Sequence, residues 1–295
     1  MVSVVLMLLA AAMLPSYSLR AGNDGGKKQR RPFVEMFRPM YLTTGFPLSE
    51  SPDKENADVK FQVSLQIPIW RDMAGSGTDI LMAYTQVSLW NLYARSSPFY
   101  DNQYQPGLYV RKQWNSSGGS PVRTLIGGIE HRSNGRDDAW SRSINYLFVS
   151  YARDYDFGLT LQASARIGPG FYGDVLTWDL PLRYLGLVQL SSTYVTPCEG
   201  WEFMVSASPL WNRSIANVNV EIGRRIGTKR SGNPYFFLQL HYGYDEAPRE
   251  WMDVNGPIVN PDNSVSYNRG TPASPRTMVR FGVLLSPKSF MRGNL

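Results

Sequence analysis

Phe157-Gly-Leu-Thr-Leu-Gln-Ala-Ser-Ala-Arg-Ile167 alternates without a break. Phe157, Leu159, Leu161, Ala163, Ala165 and Ile167 form one set; Gly158, Thr160, Gln162, Ser164 and Arg166 form the other. A period of two places the first set on one face of a β-strand and the second set on the opposite face. The pattern recurs in Phe61, Val63, Leu65, Ile67 and Ile69, in Ala216, Val218, Val220 and Ile222, and in Val279, Phe281, Val283 and Leu285. These strands run to about ten residues, with a second face of Gln, Ser, Thr, Asn and Arg, whereas sandwich strands are usually shorter.

After Leu14 no apolar run approaches the ~20 residues that a membrane helix needs. Long two-faced strands suit a closed barrel that shows its apolar face to lipid and its polar face to a lumen. The 17 Tyr, 8 Trp and 13 Phe supply interfacial aromatic girdles. Twelve strands are expected, near 39–46, 60–70, 80–93, 105–114, 122–134, 141–153, 156–167, 179–191, 201–211, 215–226, 234–244 and 277–286. With a periplasmic N-terminus, the connections near 47–59, 94–104, 135–140, 168–178 and 245–276 fall outside, and 154–155 falls inside. The link near 212–214 is shorter than an outer loop usually is. The expected fold is therefore an all-β, twelve-stranded antiparallel transmembrane barrel of the bacterial outer membrane.

Val4–Leu14 is an apolar core too short to span a bilayer, followed by Ser16 and Ser18. That spacing suits a signal peptide cleaved after Ser18. The expected organisation is a signal at 1–18, an N-terminal periplasmic segment at 19–38, the barrel at 39–286 and a tail at 287–295. The single cysteine, Cys198, excludes a disulfide framework and a cysteine metal site. A net charge of +6 in an exported chain suits anionic lipid head groups and does not require nucleic acid. The Lys27–Arg31 cluster reads as a solvated tail.

Chemistry concentrates in residues 131–145. His131 is one of two histidines and precedes Ser133 by two positions, so both share a strand face with Leu125, Gly127 and Ile129. Ser143 and Asn145 share a face with Leu147, Val149 and Tyr151. A symmetric hairpin centred near Asp138 sets Asn145 opposite His131 and Ser133 opposite Ser143, about 5 Å across one face. Ser133 would attack an ester, His131 would accept its proton and Asn145 would orient the imidazole. Backbone N–H groups of the Ser-Asn-Gly turn would meet the oxyanion. Four polar groups on a lipid face are costly; the alternative is a bulge that turns the cluster into the lumen as ordinary lining. No G-x-S-x-G elbow and no H-E-x-x-H motif is present. His241, in Leu240-His241-Tyr242, reads as a hydrogen-bonded wall histidine.

His131-Arg-Ser133-Asn-Gly135-Arg136 followed by Ser141-Arg-Ser-Ile-Asn145 resembles the active-site signature of the outer membrane phospholipase A family. Asp58-Val-Lys-Phe-Gln-Val-Ser-Leu65, Pro68-Ile-Trp70, Tyr84-Thr-Gln86, Ser96-Ser-Pro-Phe99 and Asn102-Gln-Tyr-Gln-Pro106 are similar as well, in order between about 33 and 190. The resemblance implies a twelve-stranded barrel that hydrolyses acyl esters of phospholipids (A1/A2) and lysophospholipids, depends on calcium and is activated as a homodimer. It implies Ser133 as nucleophile, His131 as base and Asn145 as the orienting residue, with Ser133 and Gly135 offering oxyanion N–H groups. It implies calcium held by the Ser141 hydroxyl and the Arg136 carbonyl, with the Ser96 carbonyl of a second copy, and Gln86 at the dimer interface. Two features depart from the family: a longer 245–276 loop, and an end at Leu295 where barrels usually close on an aromatic; the expectation is either that assembly reads Phe290 or that the tail trails free. The rival readings are a passive porin or structural barrel with a vestigial site, and a soluble carbohydrate-binding β-sandwich.

Overall fold

The computed structural model describes residues 33–115, 122–136, 141–168, 180–210, 215–227, 234–247, 254–259, 265–269 and 275–285. The signal, the Lys27–Arg31 cluster, Asp138, the 212–214 link, Phe290 and the tail lie outside them. Twelve antiparallel strands close into a barrel. They are β1 Met40–Pro47, β2 Asp58–Trp70, β3 Thr78–Trp90, β4 Phe99–Asn115, β5 Val122–Ser133 and β6 Ser143–Asp154. Continuing around the wall are β7 Leu159–Ile167, β8 Val188–Val195, β9 Trp201–Pro209, β10 Ala216–Arg225, β11 Tyr235–Gly243 and β12 Arg276–Leu285. Each strand pairs with its chain neighbours, and β12 pairs with β1 from Met278↔Pro47 to Leu285↔Met40. Among the described residues, closure leaves no barrel strand with an unpaired edge in lipid, where an unsatisfied backbone group costs roughly several kcal/mol.

The period-two reading holds on both faces. Leu125, Ile129, Leu147, Val149, Tyr151, Leu161 and Phe281 are exposed on the outer wall, while Thr124, Glu130, Arg132, Ser150, Ser164 and Arg280 are buried inside. The lumen holds charge in pairs. Arg280 grips both Asp58 carboxylate oxygens, at 2.9 and 2.8 Å, and Glu246 at 2.8 Å. Lys60 reaches Glu246 at 2.6 Å. Arg38 reaches Glu130 at 2.6 Å, and the Tyr109 hydroxyl donates to the same carboxylate oxygen at 2.5 Å. A polar cavity of about 320 Å³ remains, bordered by Gln162, Ser164, Ser191, Ser206 and Asn219 among others.

Three expectations change. The eighth strand does not begin at 179: Leu180–Leu185 is a short helix, α1, and β8 runs from Val188 to Val195. Leu182 packs on Ile144 and Tyr146, and Tyr184 and Leu185 pack with Tyr244, so the apolar residues face the mouth of the barrel and not lipid. Gly186 ends the helix at φ +76, donating to the Leu182 carbonyl at 2.9 Å. Residues 99–104, expected in an outer loop, belong to β4. Asp101 and Gln103 face the polar lumen, and that polarity imitates a loop. The wall also begins before residue 39, because Glu35 and Met36 already pair with Gln66 and Leu65 and Phe37 is buried against Leu81, Ala83 and Tyr109. The long connection between β11 and β12 contains an antiparallel hairpin, Val254–Val259 with Val265–Arg269.

Arg280→Met removes the guanidinium that grips the buried Asp58 carboxylate and leaves Glu246 with Lys60 as its remaining cation. We expect a loss of about 3–5 kcal/mol, read as a lower urea midpoint in detergent micelles. A loss below ~1 kcal/mol would mean that these ion pairs do not hold the barrel together.

Candidate active site

The β5–β6 ladder runs unbroken from Arg123↔Arg153 to Ser133↔Ser143, with His131 directly opposite Asn145. A bulge that would turn the cluster into the lumen is therefore absent from this pair of strands. Glu130 and Arg132 are buried in the lumen, whereas His131, Ser133 and Asn145 are half-buried on the outer wall above exposed Ile129 and Leu147. His131 Nδ1 lies 2.8 Å from Asn145 Oδ1. An amide oxygen only accepts, so the imidazole carries its proton on Nδ1 and leaves Nε2 free to act as a base. Ser133 is the next outward residue on the same strand. β5 ends and β6 begins here, so the group sits at a rim of the barrel, where polar atoms on the lipid side cost least.

The turn beyond Ser133 is held by a side chain that sequence reading passed over. Asn134 is buried, and its Oδ1 accepts from the backbone N–H of Arg142 at 2.9 Å and of Arg136 at 3.4 Å. Its own N–H donates to the Arg142 carbonyl at 3.0 Å. These bonds bring Arg136 and Ser141 to the same turn. Gly135 has φ +65, and a Cβ there would meet Tyr104 Cε2 at 2.5 Å, so the aromatic ring lies flush against the turn backbone. Along the ladders, Gln86, Tyr104, Ser133 and Ser143 stand in one row across β3 to β6. Gln86 is half-buried on the outer face, accepting from the Tyr84 hydroxyl at 3.1 Å and donating to Ser88 Oγ at 3.1 Å.

Oxygen donors gather at this rim. The Arg136 guanidinium is turned toward β4, with Nη2 on the Tyr100 carbonyl at 2.6 Å and Nε 3.6 Å from Asp101. Its charge is thus engaged away from the turn. Ser141 is exposed. Ser96 stands on the neighbouring β3–β4 hairpin with φ +67, followed by Ser97 at φ +43. The Ser97 carbonyl accepts from Trp90 Nε1 at 2.8 Å. Among the described residues no cluster of three His, Cys, Asp or Glu could hold a metal. A cation at this rim would rest on carbonyls and hydroxyls, a donor set that suits calcium. His241, the second histidine, is fully buried against Asn219 Oδ1 at 3.0 Å, a wall histidine as its sequence context implies.

Gly135→Ala introduces the Tyr104 contact and the left-handed penalty together. The expected cost is about 1–2 kcal/mol, visible as a lower urea midpoint, and Tyr104→Ala in the same chain should recover the part due to contact.

Known proteins resemble this chain in sequence and in fold. Residues 43–248 match the family model described as Phospholipase A1. The chain is 40% identical over 201 residues to Phospholipase A1 of Escherichia coli K12, covering 65% of each chain. It is 30% identical over 200 residues to Phospholipase A1 of Proteus vulgaris, covering 66% of this chain and 65% of that one. The match thus spans just under two thirds of these relatives' length. Outer membrane phospholipase A from Escherichia coli has a similar structure, with a TM-score of 0.65 at 22% identity, covering 86% of this chain and 94% of that one. A Salmonella typhi outer membrane phospholipase, a dimer with bound calcium, has a TM-score of 0.65 at 23% identity, covering 88% and 94%. Both share the barrel fold.

Proposed function

Because the chain belongs to the phospholipase A1 family, we propose that it is a calcium-dependent outer-membrane hydrolase of phospholipid and lysophospholipid acyl esters, with Ser133, His131 and Asn145 as its catalytic group. The 2.8 Å contact between His131 Nδ1 and Asn145 Oδ1, on the outer wall beside Ser133, carries this reading. The barrel is a bacterial outer-membrane protein. Its rim lies where glycerol esters sit, between head groups and acyl chains, so the substrate reaches Ser133 from the side and needs no pocket.

In the proposed reaction Ser133 Oγ attacks the acyl carbonyl carbon while His131 Nε2 accepts the hydroxyl proton. Asn145 keeps Nδ1–H engaged, which holds the reactive tautomer and ring orientation; an amide does this without the charge that a carboxylate would supply. Negative charge on the carbonyl oxygen is met by the N–H groups of Ser133 and Gly135, and one such donor is typically worth ~10²–10³ in rate. The C–O bond then breaks and His131 returns the proton to the leaving lysophospholipid oxygen. Water, deprotonated by His131, hydrolyses the acyl-serine, releasing fatty acid and restoring Ser133.

Calcium fits the oxygen-rich rim. The Ser141 hydroxyl and the Arg136 carbonyl would hold it, with the Ser96 carbonyl of a second copy completing the set. When bound, it supplies positive charge beside the oxyanion. Gln86, on the outer face in the same ladder row as Ser133, would meet its counterpart across the homodimer, whose formation switches the enzyme on. The ion pairs that fill much of the lumen do not favour the porin reading.

Ser133→Ala should abolish hydrolysis of a dispersed phospholipid while the β-sheet circular-dichroism signal is kept; turnover above a few per cent would remove Ser133 as nucleophile. Asn145→Ala should reduce kcat less than His131→Ala, because an amide only orients the base; equal losses would assign Asn145 a structural role. A chelator should silence the enzyme, and added calcium should restore it. Indifference to chelation would sink the metal assignment.

A further inference from the structure

Arg132 stands between His131 and Ser133, so strand alternation turns it the other way, into the lumen, where it is 9% exposed. Its Nη2 donates to the Asp245 carbonyl at 3.2 Å and also to Gln103 Oε1. Gln103 on β4 in turn donates to the Glu246 carbonyl and, at 3.4 Å, to the Asp245 carbonyl. Asp245 and Glu246 directly follow β11, which lies six strands from β5 in a wall of twelve and is therefore diametrically opposite. The chain leaving β11 crosses the mouth of the barrel as a strap. It is tied at its origin, where Tyr244 N–H donates to Asn217 Oδ1 at 2.8 Å. Its far side rests on β4 and β5 through the Gln103 and Arg132 bonds. The Glu246 carboxylate anchors the strap to Lys60 at 2.6 Å and to Arg280 at 2.8 Å, on β2 and β12.

We propose that Arg132 is a positioning residue for the hydrolase, bracing the strand that carries His131 and Ser133 against this strap. The proposal rests on the reading of Ser133 as nucleophile. The lipid side offers few polar contacts that could fix the pitch of the strand end; Arg132 fixes it from the lumen. A shift of the strand end moves Ser133 relative to the imidazole that Asn145 holds on the next strand. Misplacement by about 1 Å typically costs on the order of 100-fold in rate. The same bonds make the outer β11–β12 loop a mechanical partner of the site.

The test compares the full chain with Arg132→Met, Arg132→Lys, Gln103→Leu and the luminal control Gln189→Leu, all in detergent micelles with saturating calcium. It measures kcat and KM on a soluble short-chain ester, together with the rate at which a sulfonyl fluoride labels Ser133. For Arg132→Met the expected result is a kcat loss of about 10- to 100-fold with KM within about twofold. Labelling should slow in parallel, Arg132→Lys should recover part of both rates, and Gln103→Leu should move in the same direction. Gln189→Leu should match the parent. Wild-type kcat in both Arg132→Met and Gln103→Leu overturns the proposal, as does an equal loss in Gln189→Leu or a loss confined to KM. If Arg132→Met does not fold, Gln103→Leu decides by the same criteria. Failure of the underlying reading looks different: the parent is inactive or Ser133→Ala keeps its turnover, and then both proposals fall.

Discussion

Everything in this protein follows from one constraint: a backbone that crosses hydrocarbon must satisfy every N–H and C=O within itself. The β12–β1 ladder meets it by closing the sheet. Once closed, each strand residue has two possible surroundings, lipid outside or lumen inside, and successive residues take them in turn. Leu125, Ile129 and Leu147 go outward, while Thr124, Glu130 and Arg132 go inward. A one-residue slip would exchange the two sets along a whole strand, so register is held strongly.

The lumen is too narrow to dissolve its charges in bulk water and must pair them. Arg280 with Asp58 and Glu246, Lys60 with Glu246, and Arg38 with Glu130 are the result. Such groups are expensive to bury and more expensive to leave alone, so the network stiffens the wall even where its net stabilisation is small. Stiffness matters here because the proposed site lies on the wall of the barrel. His131, Ser133 and Asn145 stand on the outside of a two-strand ladder, and their mutual placement is only as good as that ladder and the groups bracing it from within.

Strand periodicity and hairpin symmetry were enough to put His131 opposite Asn145 and Ser133 opposite Ser143, because antiparallel pairing leaves no freedom once the turn is centred. The same rule misjudged two places. In β4, Asp101 and Gln103 looked like loop because sequence hydropathy does not distinguish a polar lumen from bulk solvent. At Leu182, Tyr184 and Leu185, apolar residues looked like lipid-facing strand, yet they cover the mouth of the barrel from a short helix that Gly186 terminates. An apolar residue states that it avoids water and does not state which shelter it takes.

Local pattern alone thus determined the closed barrel, the outward parity of residues 131, 133 and 145, and the chemistry those side chains can perform. These properties depend on a period of two and on neighbours joined by one short turn. Only the tertiary structure decided that Asn134 ties the turn from inside, that Tyr104 lies against Gly135, and that Arg132 meets the carbonyl of Asp245 from the far wall. Arg132 and Asp245 are 113 residues apart. No periodicity relates positions that distant, and the diameter of a closed barrel is set by all of its strands at once.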